Sequence, residues 1–395
     1  MGNVTEIGSS ERQYSQESLP TLDLSPAAKA LYKDEQLAPI EVSVDSSLRL
    51  KVLDQCGMAC IFCHNEGTPV SSDNVGRESS EFTSAGKSSR VSIYLGTNGA
   101  DFVSGNVQPD IALQEAVRGI DTLIDIHEIH LTGGEPTLHP QLPEIVRQLS
   151  EDGHKVKMTS NGERFYAMAP ALKEAGLSKV VFSIFGTTPE DLAAVQGGKF
   201  NNPKFAQLKL DALERSIVAA HESGIETSAN IVMPSLEHAE RIMSIIDRFG
   251  DFCKIRILNS LDEGTESYEA VYEVLAMMGA KVQKVNITAG ASGMSVDYEL
   301  PDGKEVGFKQ IRKSYLSEVC NDCVLKDNGC DEGFYGMRMY VDRMNKYRVG
   351  VCIQRMDLTR PLEQFMSSNL PDAIRAHRSQ EYDKIMETTQ IERIL

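Results

Sequence analysis

The stretch EIHLTGGEPTLHPQLPEIVRQLSEDGHKVKMTSNG, residues 128–162, decides how this chain folds. Its opening, Glu128–Thr132, reads as a short strand that ends on two glycines and a proline. A helical pattern then covers Gln141–Glu151, and Gly153 sits where a helix C-cap glycine belongs. A second strand, Lys155–Thr159, follows at once. The same strand-then-helix succession extends to both sides. Upstream lies the apolar strand Leu48–Leu53. Downstream lie the strands Lys179–Phe185, Glu226–Met233 and Lys254–Leu258, with helical patterns at Tyr166–Ala175, Pro203–Ser223 and Leu236–Phe249. Gly176 and Gly224 close two of those helices. Repeated βα units require a parallel sheet, curved or closed, with its chemistry at the C-terminal strand ends. The expected class is α/β, a partial (β/α)6 TIM-like barrel.

Outside that core the pattern changes. Residues 1–44 are rich in Ser, Glu and Pro without a sustained period and read as an extension that drapes or stays mobile. Thr68–Ser89, dense in Ser, Gly and Asn, reads as a long surface loop or lid. After Leu261 two hairpins are expected. Val296–Leu300 and Lys304–Lys309 flank Pro-Asp-Gly, and Met337–Asp342 turns through 343–346 into Tyr347–Cys352. Leu370 to Thr388 reads as a charged helix. The expected divisions are therefore an extension (1–44), the βα core (45–262), a smaller hairpin-built, cysteine-bearing domain (263–358) and a helical tail (359–395).

The chain has 395 residues, 40 basic and 57 acidic, for a formal charge of −17. That balance argues against general nucleic-acid or anionic-membrane binding. No run approaches a membrane span, and the N-terminus lacks the order of a signal peptide, so a cytoplasmic location is expected. The chain has eight cysteines, and in a reducing compartment the clustered ones are metal ligands before they are disulfides. Cys56, Cys60 and Cys63 form Cys-x3-Cys-x2-Cys. A zinc site would want a fourth ligand, whereas three thiolates suit a [4Fe–4S] cluster with one iron left open. Cys320, Cys323, Cys330 and Cys352 form a second group, readable as a zinc knuckle or as a second cluster. Cys253 stands alone, three residues before Arg256, so the two point to opposite faces of a strand. If Arg256 faces the cavity, Cys253 is a packing thiol rather than a hydrogen-atom donor.

Cys56-Gly-Met-Ala-Cys60-Ile-Phe62-Cys63 after the first strand, followed by Gly133-Gly134-Glu135-Pro136 after the second, resembles the radical S-adenosylmethionine (SAM) enzymes. The resemblance implies a cluster on Cys56, Cys60 and Cys63 that binds SAM, with Phe62 beside it. Gly133, Gly134 and Glu135 would accept the SAM ammonium. Ser160, Asn161, Ser183, Asn230 and Val232 would line SAM further along. Arg256 could pair with a carboxylate of SAM or substrate, or lie on the surface. The second cysteine group, with Glu332 to Arg338, resembles the auxiliary-cluster (SPASM/twitch-like) domains of the molybdenum-cofactor GTP cyclase group and of peptide maturases. It implies a second [4Fe–4S] cluster, saturated by Cys320, Cys323, Cys330 and Cys352. Two departures speak against GTP cyclisation itself: Gly336 stands where that group carries a second arginine beside Arg338, and the chain ends Glu392-Arg393-Ile394-Leu395 instead of Gly-Gly. The expected enzyme reductively cleaves SAM and abstracts hydrogen from a small polar nucleotide- or sugar-like metabolite. Its electrons would come from a donor such as flavodoxin or ferredoxin. A maturase of ribosomally made peptides is the second reading, and a non-catalytic iron–sulfur electron-transfer protein is the third.

Overall fold

The computed structural model describes residues 5–7, 22–58, 60, 103, 105–197, 200–260, 263–323, 326, 330, 332–342, 344–353 and 358–391. Among them the strands are, in chain order, β1 (Thr5–Ile7), β2 (Ile40–Val44), β3 (Ser47–Lys51), β4 (Glu128–Thr132), β5 (Lys155–Ser160), β6 (Leu177–Ser183), β7 (Glu226–Met233), β8 (Lys254–Asn259), β9 (Lys281–Ala289), β10 (Gly293–Glu299), β11 (Glu305–Ile311), β12 (Met337–Val341), β13 (Tyr347–Gly350) and β14 (Arg360–Pro361). From β3 to β8 every strand is followed by at least one helix, which is the (β/α)6 succession expected of an α/β chain. The chain divides into two compact units, each assembled from separate stretches.

One unit combines Ser46–Ser228 with Gly336–Asp372. Its strands run in the order β6-β5-β4-β3-β12-β13-β14. The pairs β3–β4, β4–β5 and β5–β6 are parallel, and so is β3–β12. The register explains the two faces. Leu50 lies opposite Leu131, Leu131 opposite Met158, and Met158 opposite Val180. These four side chains, with Leu48, Ile129 and Val156 one pleat earlier, are fully buried. Each such side chain contributes roughly 1.5–3 kcal/mol by leaving water. Helices at Ile111–Ile124, Leu142–Glu151, Phe165–Glu174 and Pro203–Glu222 make the crossovers. Three of these connections return through Gly153, Gly176 and Gly224 at φ +94°, +97° and +65°, the helix stops read from the sequence.

The opposite face of the same sheet is polar. Arg338 lies opposite Arg49, Arg49 opposite His130, His130 opposite Lys157, and Lys157 opposite Lys179. Residues directly opposite share a face, so these five side chains form one cross-strand row. Lys157 pairs with Glu128, and Lys179 with Glu226 at 2.7 Å. Two residues beyond Arg49, on the same face, Lys51 is 1 % exposed and is held by Asp54 and the carbonyl of Val103.

The other unit combines the stretch up to Asp45 with Ala229–Tyr335 and the segment from Ala373. Its strands run β1-β2-β9-β10-β11-β8-β7. The pairs β2–β9 and β8–β11 are parallel, while β9, β10 and β11 form an antiparallel meander. The Pro301-Asp302-Gly303 turn joins β10 to β11 with Gly303 at φ +86°, as the sequence required. The segment 1–44 departs from its reading as an irregular extension. It carries a helix, Pro26–Leu37, started by Ser25, whose hydroxyl accepts from Ala28 N at 3.3 Å. Glu35 of that helix is 4 % exposed, and its Oε2 accepts from Tyr272 at 2.9 Å and Tyr298 at 3.0 Å.

Candidate active site

The site is built where β3, β4 and β5 end. Past Lys51 the chain leaves the sheet but stays tied to the next strand. Val52 N donates to Thr132 O at 2.9 Å, Gly134 N to Leu53 O at 2.9 Å and Glu135 N to Gln55 O at 2.7 Å. The loop that leads into Cys56 therefore lies directly on the Gly133-Gly134 turn. A methyl group added at Gly134 would fall 2.0 Å from Gln55 O, and one at Gly133 2.5 Å from Leu53 O. Only glycine permits that approach.

Glu135 knots the three strand ends together. It is 1 % exposed. Its Oε1 accepts from Thr137 N at 3.0 Å, Thr137 Oγ1 at 2.6 Å and Ser160 Oγ at 2.7 Å. Its Oε2 accepts from Asn161 N at 2.6 Å. Three donors thus meet Oε1 and one meets Oε2. Burial pushes the Glu135 carboxyl up, against the pull of the Thr137, Asn161 and Ser160 donors. Ser160 Oγ in turn accepts from Gly162 N at 3.0 Å, and Gly162 O receives Ser216 Oγ at 2.7 Å.

The cysteine loop is held from three sides. Asn161 Nδ2 donates to Cys56 Sγ at 3.6 Å, and Gln196 Nε2 to Cys60 Sγ at 3.2 Å. Cys60 and Gln196 also form an isolated antiparallel bridge through their backbones. Met58 packs against a buried cluster of Leu192, Ala193, Ala206 and Leu210, joined by Phe185 and Val195. Gly57 backs onto Glu163, whose carboxylate pairs with Lys209. Cys56 and Cys60 are half-buried, each sulfur beside a donated amide hydrogen. That is the chemistry a cluster thiolate needs, so the residues present fit the expected group. The sequence reading missed Gln196, Met58 and Glu163. Gln196 is 136 positions from Cys60, and no local pattern marks it.

Not every expected residue falls in this constellation. Cys63, Phe62 and Thr68–Ser89 lie outside the described residues. Ser183 ends β6 on the polar face, in the same unit as Glu135. Asn230 and Val232 on β7 and Arg256 on β8 belong to the other unit. There Arg256 Nε donates to Asn230 Oδ1 at 3.0 Å, which gives the arginine a polar partner on the neighbouring strand. Cys253 is 5 % exposed, donates to Phe249 O at 3.5 Å, and is pushed by burial up to about 12. This is the environment of a packing thiol. Cys320, Cys323 and Cys330 lie in the unit of β8, Cys352 in that of β3. Cys323 N donates to Cys320 O at 3.2 Å, and Tyr315 donates to Cys330 O at 2.9 Å. Among the described residues, no group of three or more His, Cys, Asp or Glu is arranged to hold a metal ion, and Cys63 is not among them. No described helix is long and apolar enough to cross a membrane.

Comparison with known proteins bears on the same segment. A probable GTP 3',8-cyclase of Pyrococcus horikoshii is 23 % identical over 286 residues, covering 70 % of this chain and 78 % of the relative. One of Metallosphaera sedula is 25 % identical over 287 residues, covering 70 % and 75 %. Among solved structures, Streptococcus suis SuiB bound to S-adenosylmethionine aligns over 88 % of this chain and 70 % of its own, with 14 % identity and a TM-score of 0.46. The family described as the Radical SAM superfamily matches residues 50–249, the span that contains the cysteine loop, the Gly133-Gly134 turn and the Glu135 knot. The chain is a member of the radical SAM superfamily, an iron–sulfur enzyme that uses a [4Fe–4S] cluster and SAM.

Proposed function

We propose that this enzyme abstracts a hydrogen atom from a small anionic, nucleotide- or sugar-like metabolite. The observation that carries the reading is the polar row Arg338, Arg49, His130, Lys157 and Lys179 across one face of the sheet. Glu128 and Glu226 offset part of that charge. Arg338 and Arg49 lie opposite each other at one end of the row, Arg338 4 % exposed and Arg49 half-buried. Phosphate is the anion that the forked donors of a guanidinium fit best, so two arginines on one face favour a phosphorylated substrate. The relatives named GTP 3',8-cyclase agree with a nucleotide-like substrate. Gly336 adopts φ +85°, a conformation that an arginine rarely takes, so this chain's substrate contacts differ at that position.

Cys56, Cys60 and Cys63 would hold the cluster, and Glu135 Oε2 with the glycine carbonyls would receive the SAM ammonium. When bound, the cluster and SAM supply reductive cleavage of SAM to methionine and a 5′-deoxyadenosyl radical. The chain's own residues fix geometry around that chemistry. Glu135 aligns the ends of β4 and β5, Met58 seats the cysteine loop, and the basic row orients the anionic end of the substrate. The electron donor would be a flavodoxin or ferredoxin.

The test is anaerobic reconstitution with iron and sulfide, then SAM and dithionite, with 5′-deoxyadenosine as the product measured. Nucleoside triphosphates and sugar phosphates should stimulate its formation, and Arg49→Ala should raise the KM for them about 10-fold or more, the loss of one charge-assisted contact. Stimulation by peptides and not by any phosphorylated metabolite would refute the reading.

A further inference from the structure

The cysteine loop receives two side-chain amides, Asn161 on Cys56 at 3.6 Å and Gln196 on Cys60 at 3.2 Å. Neither amide is loosely placed. Asn161 Oδ1 accepts from Glu163 N at 2.8 Å, which turns the Nδ2 group toward the sulfur and settles the orientation of the amide. Asn161 N is tied to Glu135 Oε2 at 2.6 Å, so the residue is fastened to the knot that joins the strand ends. Gln196 is 3 % exposed; its backbone bridges Cys60, and its N donates to Ala193 O at 3.0 Å. Two ordered N–H donors thus meet the sulfurs of two half-buried cysteines.

We infer that Asn161 and Gln196 are positioning residues that set the reduction potential of the SAM-cleaving cluster through hydrogen bonds to Cys56 and Cys60. The inference rests on the reading that these cysteines ligate the cluster. The physical argument is electrostatic. Reduction adds one electron and no proton, and part of the added charge resides on the cysteine sulfurs. An N–H dipole aimed at a sulfur is stabilised more by the reduced state than by the oxidised one, so it raises the potential and eases electron entry. The effect is larger where water is excluded. Gln196 also couples this control to Met58, because Leu192 and Ala193 of the cluster on which Met58 packs immediately precede it in the chain. Part of the control of the cluster potential therefore lies in a segment that contributes no ligand.

The experiment is a redox titration of the reconstituted full chain, following the electron paramagnetic resonance signal that changes when SAM is added. That response distinguishes the SAM cluster from any other. Gln196→Leu removes one donor, and Asn161→Asp replaces the other with an acceptor while keeping the bond from Glu163 N. Iron and sulfide contents should match wild type. Gln196→Leu should shift the reduced-to-oxidised ratio about tenfold toward oxidised, a fall of about 59 mV for one electron. Asn161→Asp should fall further, because a carboxylate adds negative charge beside the sulfur. Iron-complete variants that titrate at the wild-type potential would overturn the inference and leave the cluster assignment standing. Folded variants that both fail to take up iron would overturn it too, since the amides would then serve assembly. No SAM-responsive signal in wild type would refute the cluster assignment itself.

Discussion

Gly134→Ala tests the architecture of the site most directly, because the added methyl meets backbone and not a side chain that can swing away. The methyl would fall 2.0 Å from Gln55 O, 2.4 Å from Gln55 C and 2.6 Å from Asp54 O, where real contacts stay beyond 3.0 Å. The loop leading into Cys56 must retreat by about 1 Å. Retreat stretches two bonds that hold it, Glu135 N to Gln55 O at 2.7 Å and Gly134 N to Leu53 O at 2.9 Å. Each buried bond contributes about 1 kcal/mol, and leaving its partners unsatisfied adds to the loss. With the overpacking cost of about 1–3 kcal/mol, the expected destabilisation is about 3–5 kcal/mol. Urea denaturation of the cluster-free chain, followed by circular dichroism, reads this number. Gly303→Ala is the control, since its methyl meets nothing within 4 Å and tests only the strain of φ +86°. Iron uptake by Gly134→Ala should fall as well, because the displaced segment carries Cys56. A Gly134→Ala chain within about 0.5 kcal/mol of wild type and with full iron would refute the close approach of the loop to the turn.

Replacing any one of Cys56, Cys60 or Cys63 with Ala should abolish 5′-deoxyadenosine formation; a variant that cleaves SAM at the wild-type rate would remove that residue from the ligand set. Glu35→Gln should flatten the dependence of stability on pH. Burial pushes the Glu35 carboxyl up, against the pull of the Tyr272, Tyr298 and Gln310 donors. The folded chain thus binds the Glu35 proton more tightly than the unfolded one, and the stability it confers is complete below about 4.5 and is lost as pH rises through the raised folded value. Parallel stability–pH curves for wild type and variant, measured by denaturant, would contradict this. Arg312→Ala should loosen the helix Leu370–Ile391. Arg312 donates to both oxygens of Glu381, at 3.0 Å and 2.6 Å, and its loss should cost about 2–3 kcal/mol. Hydrogen exchange of that helix should accelerate, and unchanged protection would show that other contacts hold it.

The βα core was legible because its signals are local. Strands β4 and β7 match their expected spans, and β5 and β8 extend one residue further. Helix stops at Gly153, Gly176 and Gly224 were readable because a left-handed residue demands glycine. The helix Pro26–Leu37 was not legible, and Glu35 is the reason. Its buried residues are Ala28, Leu31 and Glu35, so the third position of the apolar stripe is a carboxylic acid, satisfied by tyrosines more than 200 positions away. The site divides the same way. Glu135 and Asn161 stood out in short motifs at strand ends. Gln196 and Lys209 did not, because their roles exist only once residues 189–222 have packed over the cysteine loop. The parallel pairing of β12 with β3 is equally hidden, since a strand's neighbour leaves no trace in the strand.

That pairing constrains how the enzyme can be made. β3, which leads into the cysteines, has β4 on one side and β12 on the other, and β12 is synthesised almost 300 residues later. During translation the first stretch of this unit can collapse, yet one edge of β3 stays open, with unpaired backbone groups exposed, until Val341 has left the ribosome. Loading of iron and sulfur before that point would act on a half-walled site. The late arrival of β12 therefore acts as a checkpoint in biogenesis. Chains truncated before Met337 should accumulate as aggregation-prone, iron-poor species, while a fragment supplying residues 336–372 in trans has a vacant strand position to fill.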